Sequence, residues 1–336
     1  MANDVKVVIE LAKASPNAGF GVPLIFAGKQ TTAVAYKEVS GLDEIVKAGF
    51  TEDSAVYKAA NLLYAQNNAP SKIAVCASTD NTVTALPAIL DKGWRQLIVV
   101  STGTEGESTV TEISNYIETC KNFALYFASV YPVDDEAVIT AVKSNNRTVL
   151  VAYESDDTDY PEAAVVGATA GMDAGSITYK NVILKNVTNQ DYTDAEVSDM
   201  HDKGVITILK KAGSIVTSEG IVASGEYIDI IDSQDYIIEQ IEYKCQDLMN
   251  RSAKLPYDNR GISSLESVVV SVLHDAAVNG MIAVDDDGNY QYSVTFGSRS
   301  DCSAADISSR KYMEGKFEFT LAGAIHTAKI TGSIIA

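Results

Sequence analysis

Ser54-Ala55-Val56-Tyr57-Lys58-Ala59-Ala60-Asn61-Leu62-Leu63-Tyr64-Ala65-Gln66 is followed, after a short polar break, by Lys72-Ile73-Ala74-Val75-Cys76-Ala77. In the first segment Val56, Ala59, Ala60, Leu63 and Tyr64 recur at helical spacing, and the second is an unbroken apolar run of strand length. A strand without a polar face is buried on both sides, the condition of a parallel sheet covered by helices. The rhythm repeats outward from this pair. Val22-Pro23-Leu24-Ile25-Phe26-Ala27 and residues 97–100, 123–130 and 148–152 read as further buried strands. Residues 42–50 precede the pair as a helical stretch, and residues 82–91, 108–121 and 134–143 are amphipathic. Strands alternating with helices predict an α/β domain over residues 22–195, with a mostly parallel sheet flanked by helices.

Beyond residue 195 the rhythm changes. Residues 205–209, 214–217 and 220–223 are short and strand-like, separated by Lys/Gly or Ser/Glu turns. A long helix follows, with Asp232 or Ser233 as its expected N-cap and Ile238, Ile241, Cys245, Leu248 and Met249 on its apolar face. A second helix carries Ile262, Leu265, Val269, Val272, Leu273 and Ala276 on one face and closes at Asn279-Gly280. Asp286-Asp287-Gly288-Asn289 then turns into a strand over residues 290–296. Residues 196–323 are thus expected to form an α+β C-terminal domain, two helices against a small sheet.

Both ends read as strands without a local partner. Val5, Val7, Ile9 and Leu11 alternate with Lys6, Val8 and Glu10 before Ser15-Pro16-Asn17-Ala18-Gly19 redirects the chain, which makes residues 1–21 an arm and hinge. Residues 324–336 form a second arm, with Ile325, Thr327, Lys329, Ile330 and Thr331 in a β-branched, alternating run. An unpaired strand exposes N–H and C=O groups that template another chain. A terminal strand can also close its own sheet; two such ends, one with a hinge, favour docking into neighbouring copies.

Composition narrows the function. The chain has 336 residues, 46% hydrophobic and 21% charged, with a net charge of −19. Its sequence pI is about 4.5. That excess disfavours a nucleic-acid backbone, where Lys and Arg must neutralise phosphates, and an anionic membrane surface. Met1-Ala2-Asn3-Asp4 lacks the basic start of an export signal, and no uncharged stretch reaches the ~18–20 residues that span a bilayer. Cys76, Cys120, Cys245 and Cys302 are scattered, as suits reduced thiols in a cytoplasm.

Motifs for chemistry do not assemble. Gly167, Gly171 and Gly175 are spaced four apart, which matches neither a dinucleotide fingerprint nor a P-loop and suits close helix packing. Ser101-Thr102-Gly103-Thr104-Glu105-Gly106 follows a strand end, where α/β ligands bind, but has no basic or metal-binding companion. His201, His274 and His326 are isolated, and Asp285-Asp286-Asp287-Gly288 has Val294 where a calcium loop needs Glu. No catalytic residue, metal site or cofactor is assigned.

The order of several segments carries a resemblance. Gly225-Glu226-Tyr227-Ile228-Asp229-Ile230-Ile231-Asp232 leads into the first long helix, and Lys254-Leu255-Pro256-Tyr257-Asp258-Asn259-Arg260-Gly261-Ile262 leads into the second. Ala276-Ala277-Val278-Asn279-Gly280-Met281-Ile282 closes that helix, and Leu321-Ala322-Gly323-Ala324-Ile325-His326-Thr327-Ala328-Lys329-Ile330-Thr331-Gly332 ends the chain. With Ala48-Gly49-Phe50, Ser54–Ala60 and Lys72–Val75 upstream, this text resembles the sheath subunits of contractile phage tails and phage-tail-like bacteriocins.

The resemblance implies a structural, non-enzymatic subunit that forms a helical homopolymer around an inner tail tube protein and meets baseplate and tail terminator proteins. It implies no cofactor, no nucleic acid and no membrane insertion. It further implies synthesis in a bacterial host cytoplasm, assembly into a phage tail or phage-tail-like particle, and terminal arms that add strands to neighbouring copies. The inner domain would face the tube, with Glu239, Glu242, Lys244 and Arg251 as candidate contacts. Two alternatives stand beside it: a cytosolic α/β enzyme binding a nucleotide or phosphorylated ligand, and a non-contractile tubular protein.

Overall fold

The computed structural model describes residues 21–120, 123–131, 135–154 and 160–327. Strand β1 (Val22–Ala27) is followed by β2 (Val34–Val39), α1 (Leu42–Ala48), α2 (Ala55–Tyr64), β3 (Ile73–Ala77), α3 (Thr82–Ala85) and β4 (Trp94–Val99). The chain continues through α4 (Val110–Thr119), β5 (Leu125–Val130), α5 (Glu136–Val142), β6 (Thr148–Ala152), α6 (Pro161–Thr169), α7 (Asp194–Asp202), β7 (Val205–Lys211) and β8 (Ser214–Thr217). Last come α8 (Ile228–Arg251), α9 (Asn259–Val278), β9 (Tyr292–Phe296), α10 (Ala304–Ser309) and β10 (Gly315–Phe319). Local chemistry starts many of these helices. The Ser54 hydroxyl accepts from the Tyr57 N–H, and Thr109–Glu112 and Thr193–Glu196 form capping boxes ahead of α4 and α7. The Asp258 carboxylate accepts from the Arg260 and Gly261 N–H groups ahead of α9.

Eight strands form one sheet in the order β2-β3-β1-β4-β5-β6-β7-β8. The six inner strands are parallel, and β2 and β8 run antiparallel at the edges. Adjacent residues of each inner strand point to opposite faces, and both faces are covered. Ile25, Val75, Ile98, Phe127 and Val151 meet Leu63 of α2 and Val165 of α6 in one core. Leu24, Phe26, Leu97, Tyr126 and Leu150 meet Ile113 and Ile117 of α4 and Val142 of α5 in the other. This is why the strands read as continuous apolar runs.

Three features differ from the sequence reading. Strands β7 and β8 do not belong with the small C-terminal sheet: β7 pairs in parallel with β6, and β8 folds back on β7. The first sheet therefore crosses the expected boundary between residues 195 and 196, because the buried face of Val205, Ile206 and Ile208 completes its two cores. Residues 220–223 form no strand, only an isolated bridge between Ile221 and Tyr227. Helix α8 starts at Ile228, so Asp232 and Ser233 are buried inside it rather than capping it.

The remaining elements form a smaller unit. Val269, Val272, Leu273 and Ala276 of α9 pack with Ile237 of α8 and with Tyr292, Val294, Phe296 and Phe319 of the β9–β10 hairpin. Helix α9 is long and apolar enough to cross a membrane by length and composition, and here its apolar face is taken by α8 and the hairpin. The turn before β9 is built by Asp285, whose Oδ1 accepts from the N–H groups of Asp287 and Asn289.

Candidate assembly surface

Strands β9 and β10 pair only with each other among the described residues, from Gly315 opposite Phe296 to Phe319 opposite Tyr292. A two-stranded ribbon is marginal on its own and needs a helix or further strands. Helix α9 supports one face, yet no residue of either strand is fully buried, and Phe317 remains 38% exposed. The outer edges are thus open ladders beside an incompletely covered apolar face, the geometry on which an added strand gains both main-chain bonds and burial.

Of the residues expected in the arms, Val5, Val7, Ile9, Leu11, Lys329, Ile330 and Thr331 lie outside the described residues. Ile325 and Thr327 are described, belong to no strand of this chain and are exposed, Ile325 at 90%. The charged residues of α8 separate. Glu242 and Arg251 are exposed, with Arg251 Nε 2.9 Å from Asp247, and Lys244 reaches Asp275 of α9 at 3.0 Å. Glu239 is half-buried; burial pushes its carboxyl up to about 7, although nearby Arg95 pulls the other way. The structure therefore does not present these four as one patch.

A buried charge cluster escaped the sequence reading. Arg95 of β4 donates from Nη1 to Asp235 Oδ2 at 2.8 Å and from Nη2 to Asp232. Arg147 grips the other side of Asp235, with Nη2 2.9 Å from Oδ1, and the Tyr179 hydroxyl donates to Asp232 Oδ2 at 2.7 Å. Burial alone would pull the Arg95 pKa down; the two aspartates reverse this and raise it. Two guanidinium groups and two carboxylates balance, so the charges buried at Arg95, Asp232 and Asp235 are compensated, while Arg147 keeps an edge to solvent. The cluster ties the first third of α8 to the sheet. Its signal in the sequence was Arg95 inside an apolar strand, together with Asp232 and Asp235 three apart on one helix face.

The sheet also has a switch point, where β1 lies between β3 and β4 and α/β proteins bind ligands. Glu107 fills it. Its Oε1 accepts from the Thr82 and Ser108 N–H groups, each at 2.6 Å, and its Oε2 accepts from the Ser101 hydroxyl at 3.1 Å. Ser101 in turn accepts from the Gly28 N–H at 2.8 Å, and a Cβ on Gly28 would stand 1.7 Å from Glu107. A side-chain carboxylate of this chain thus takes the backbone donors that would otherwise face an anionic ligand.

The fold recurs in solved structures. A chain of the anti-feeding prophage baseplate superposes with a TM-score of 0.75 at 15% identity, over 100% of both chains. The anti-feeding prophage helical sheath in its contracted state gives 0.70 at 15% identity, over 100% of this chain and 99% of that one. The sheath complex of an extracellular contractile injection system, PVC, also contracted, gives 0.72 at 13% identity over 98% and 96%. The fold is that of a contractile sheath subunit. No protein-family model matches the sequence, and no curated protein matches it.

Proposed function

We propose that this chain is a structural subunit of a contractile sheath, polymerising with its own copies around an inner tube and shortening to drive that tube through a target envelope. The observation that carries this reading is the end-to-end likeness to sheath chains, joined to a hairpin whose ladders are open on both sides. Residues 5–11 of one neighbour and the C-terminal arm of another would add to β9–β10, with Val5, Val7, Ile9 and Leu11 turned toward the incompletely covered apolar face. An added strand of about six residues makes about four to six main-chain bonds, each worth about 0.5–1.5 kcal/mol net. Such links hold while side-chain contacts between nearly rigid subunits are exchanged, which is the physical requirement of contraction.

The partners follow from the same reading: further copies of this chain, a tube protein inside, and baseplate and terminator proteins at the ends of a phage tail or phage-tail-like particle. Glu242, Lys244 and Arg251 remain candidates for the tube-facing side. Catalysis has no part in the proposal. The test is negative-stain microscopy of the purified chain beside a variant lacking residues 1–14. Tubes from the full chain, and a folded but unassembled variant, are expected. Tubes formed normally by the truncated chain would sink the arm assignment, and small discrete particles from the full chain would sink the sheath reading.

A further inference from the structure

After β10 the chain runs beside residues 281–283, where the Ala322 N–H donates to the Met281 carbonyl at 2.9 Å. It then crosses to the large sheet unit, in neither helix nor strand through residue 327. One side chain fastens the end of this crossing. His326 Nδ1 lies 2.6 Å from Glu219 Oε1, its Nε2 meets the Thr178 hydroxyl, and its ring stands edge-on to Tyr227 at 4.8 Å. The His326 side chain is 12% exposed, whereas its neighbour Ile325 is 90% exposed.

The receiving site is organised without His326. Lys180 Nζ holds the second oxygen of Glu219 at 2.6 Å, and Glu219 Oε1 accepts from the Gly220 N–H at 3.2 Å. Burial pulls the Glu219 carboxyl up, but Lys180 first, then the backbone donor and His326 itself, outweigh it and hold it below the usual range. The Thr178 hydroxyl donates to a neutral imidazole nitrogen or accepts from a protonated one, so the contact survives either state of the ring.

We propose that residues 323–326 form a latched strap, with His326 as the latch, which opens when the C-terminal arm is pulled. While it is closed, the free arm starts at residue 327. Once it opens, the last anchor retreats to Ala322 and the arm gains four residues, about 13 Å of reach at full extension. A lattice that rearranges without breaking its strand links needs such slack, and the strap stores it on the subunit's own surface. The pull rests on the sheath reading; the latch does not.

The experiment has two arms. The chain holds three histidines, so imidazole nitrogen–proton NMR of the unassembled full chain resolves His326 against His326→Gln. An ordered His326 signal that shifts on Glu219→Gln is expected. A signal indistinguishable from a free-peptide histidine, unmoved by Glu219→Gln, overturns the latch whether or not the chain forms tubes. For the strap, Thr178→Cys with His326→Cys is oxidised in the extended particle, with each single variant as control. Crosslinked particles are expected to stop short of full contraction and to complete it on reduction. Full contraction with the crosslink intact overturns the opening. Absence of tubes from the wild-type chain would instead count against the sheath reading, with the NMR arm still deciding the latch.

Discussion

At Asp235 one carboxylate serves two guanidinium groups, those of Arg95 and Arg147, while itself 1% exposed. Removing it leaves Arg95 with Asp232 alone and Arg147 without its carboxylate, and breaking one member of a buried pair costs about 3–5 kcal/mol. Asp235→Ala is therefore expected to lose stability of that order in urea unfolding. Arg147→Ala, at a side chain 23% exposed, should lose less. Glu162 presents the opposite case: burial pushes its carboxyl from 4.5 up to about 7, against the smaller pull of the Ser129 hydroxyl and its own backbone N–H. Below the unfolded value both states are protonated; between it and about 7 only the folded chain keeps the proton, so stability falls as pH rises through that window. The loss at pH 8 is about 3 kcal/mol. Glu162→Gln mimics the neutral acid, so it should exceed the wild-type chain in stability at pH 8 and match it near pH 4.5. Parallel stability curves for the two chains across this range would refute the assignment.

Among the elements, α6 shows how a helix with no polar face is accommodated. All nine of its residues are buried, and it lies so close to α2 that a Cβ on Gly167 would stand 2.3 Å from the Leu63 carbonyl oxygen. Gly171 meets the Asn68 carbonyl in the same way at 2.1 Å. Gly167 thus packs inside the helix, whereas Gly171 lies just beyond its end and Gly175 follows in a turn at positive φ, so the three glycines make separate close approaches rather than one stripe. Exchanging a helical glycine for alanine ordinarily stabilises by up to about 1 kcal/mol. Here the added methyl must push two backbones apart, at a cost of about 1–3 kcal/mol. Gly167→Ala is expected to lower the urea midpoint, and a raised midpoint would show that α2 and α6 have room to separate. The β7–β8 hairpin is read more simply: Ala212 and Gly213, both at positive φ, form the two-residue turn that matches strand twist.

For the whole molecule, a charge of −19 sets the terms of self-association. Copies of one acidic chain repel, and that repulsion acts over a Debye length of about 10 Å at 0.1 M salt and about 3 Å at 1 M. The main-chain ladders proposed between arms and hairpins would be indifferent to salt by comparison. Polymer yield, followed by sedimentation, should therefore rise as sodium chloride is raised at neutral pH. A yield that falls with salt would mean that ion pairs, rather than strands, dominate the contacts between copies. In the proposed sheath the same molecule would move as a unit when the lattice rearranges. The Arg95–Asp232–Asp235–Arg147 cluster supplies the connection, by binding the start of α8 to the sheet while its far end packs with α9.

The amino-acid sequence alone determined the α/β class, the parallel inner strands, the two long helices and the close helix packing at Gly167. Each is a local or periodic property: a strand buried on both faces must be apolar throughout, and a helix packed on one side must repeat every three to four residues. The sheet membership of residues 205–217 was not legible, because a short β-strand carries no mark of the sheet it joins; only the unfinished cores beside β6 decided it. Asp232 read as a cap because aspartate before a helix usually is one, and only the approach of Arg95 from a strand 137 residues away made it an ion-pair partner. Among the candidate assembly residues the division is the same. Alternation marked the arms, but the open hairpin edges that would receive them, the inward turn of Glu239 and the docking of His326 on Glu219 depend on contacts between segments far apart in the chain, which tertiary packing alone creates.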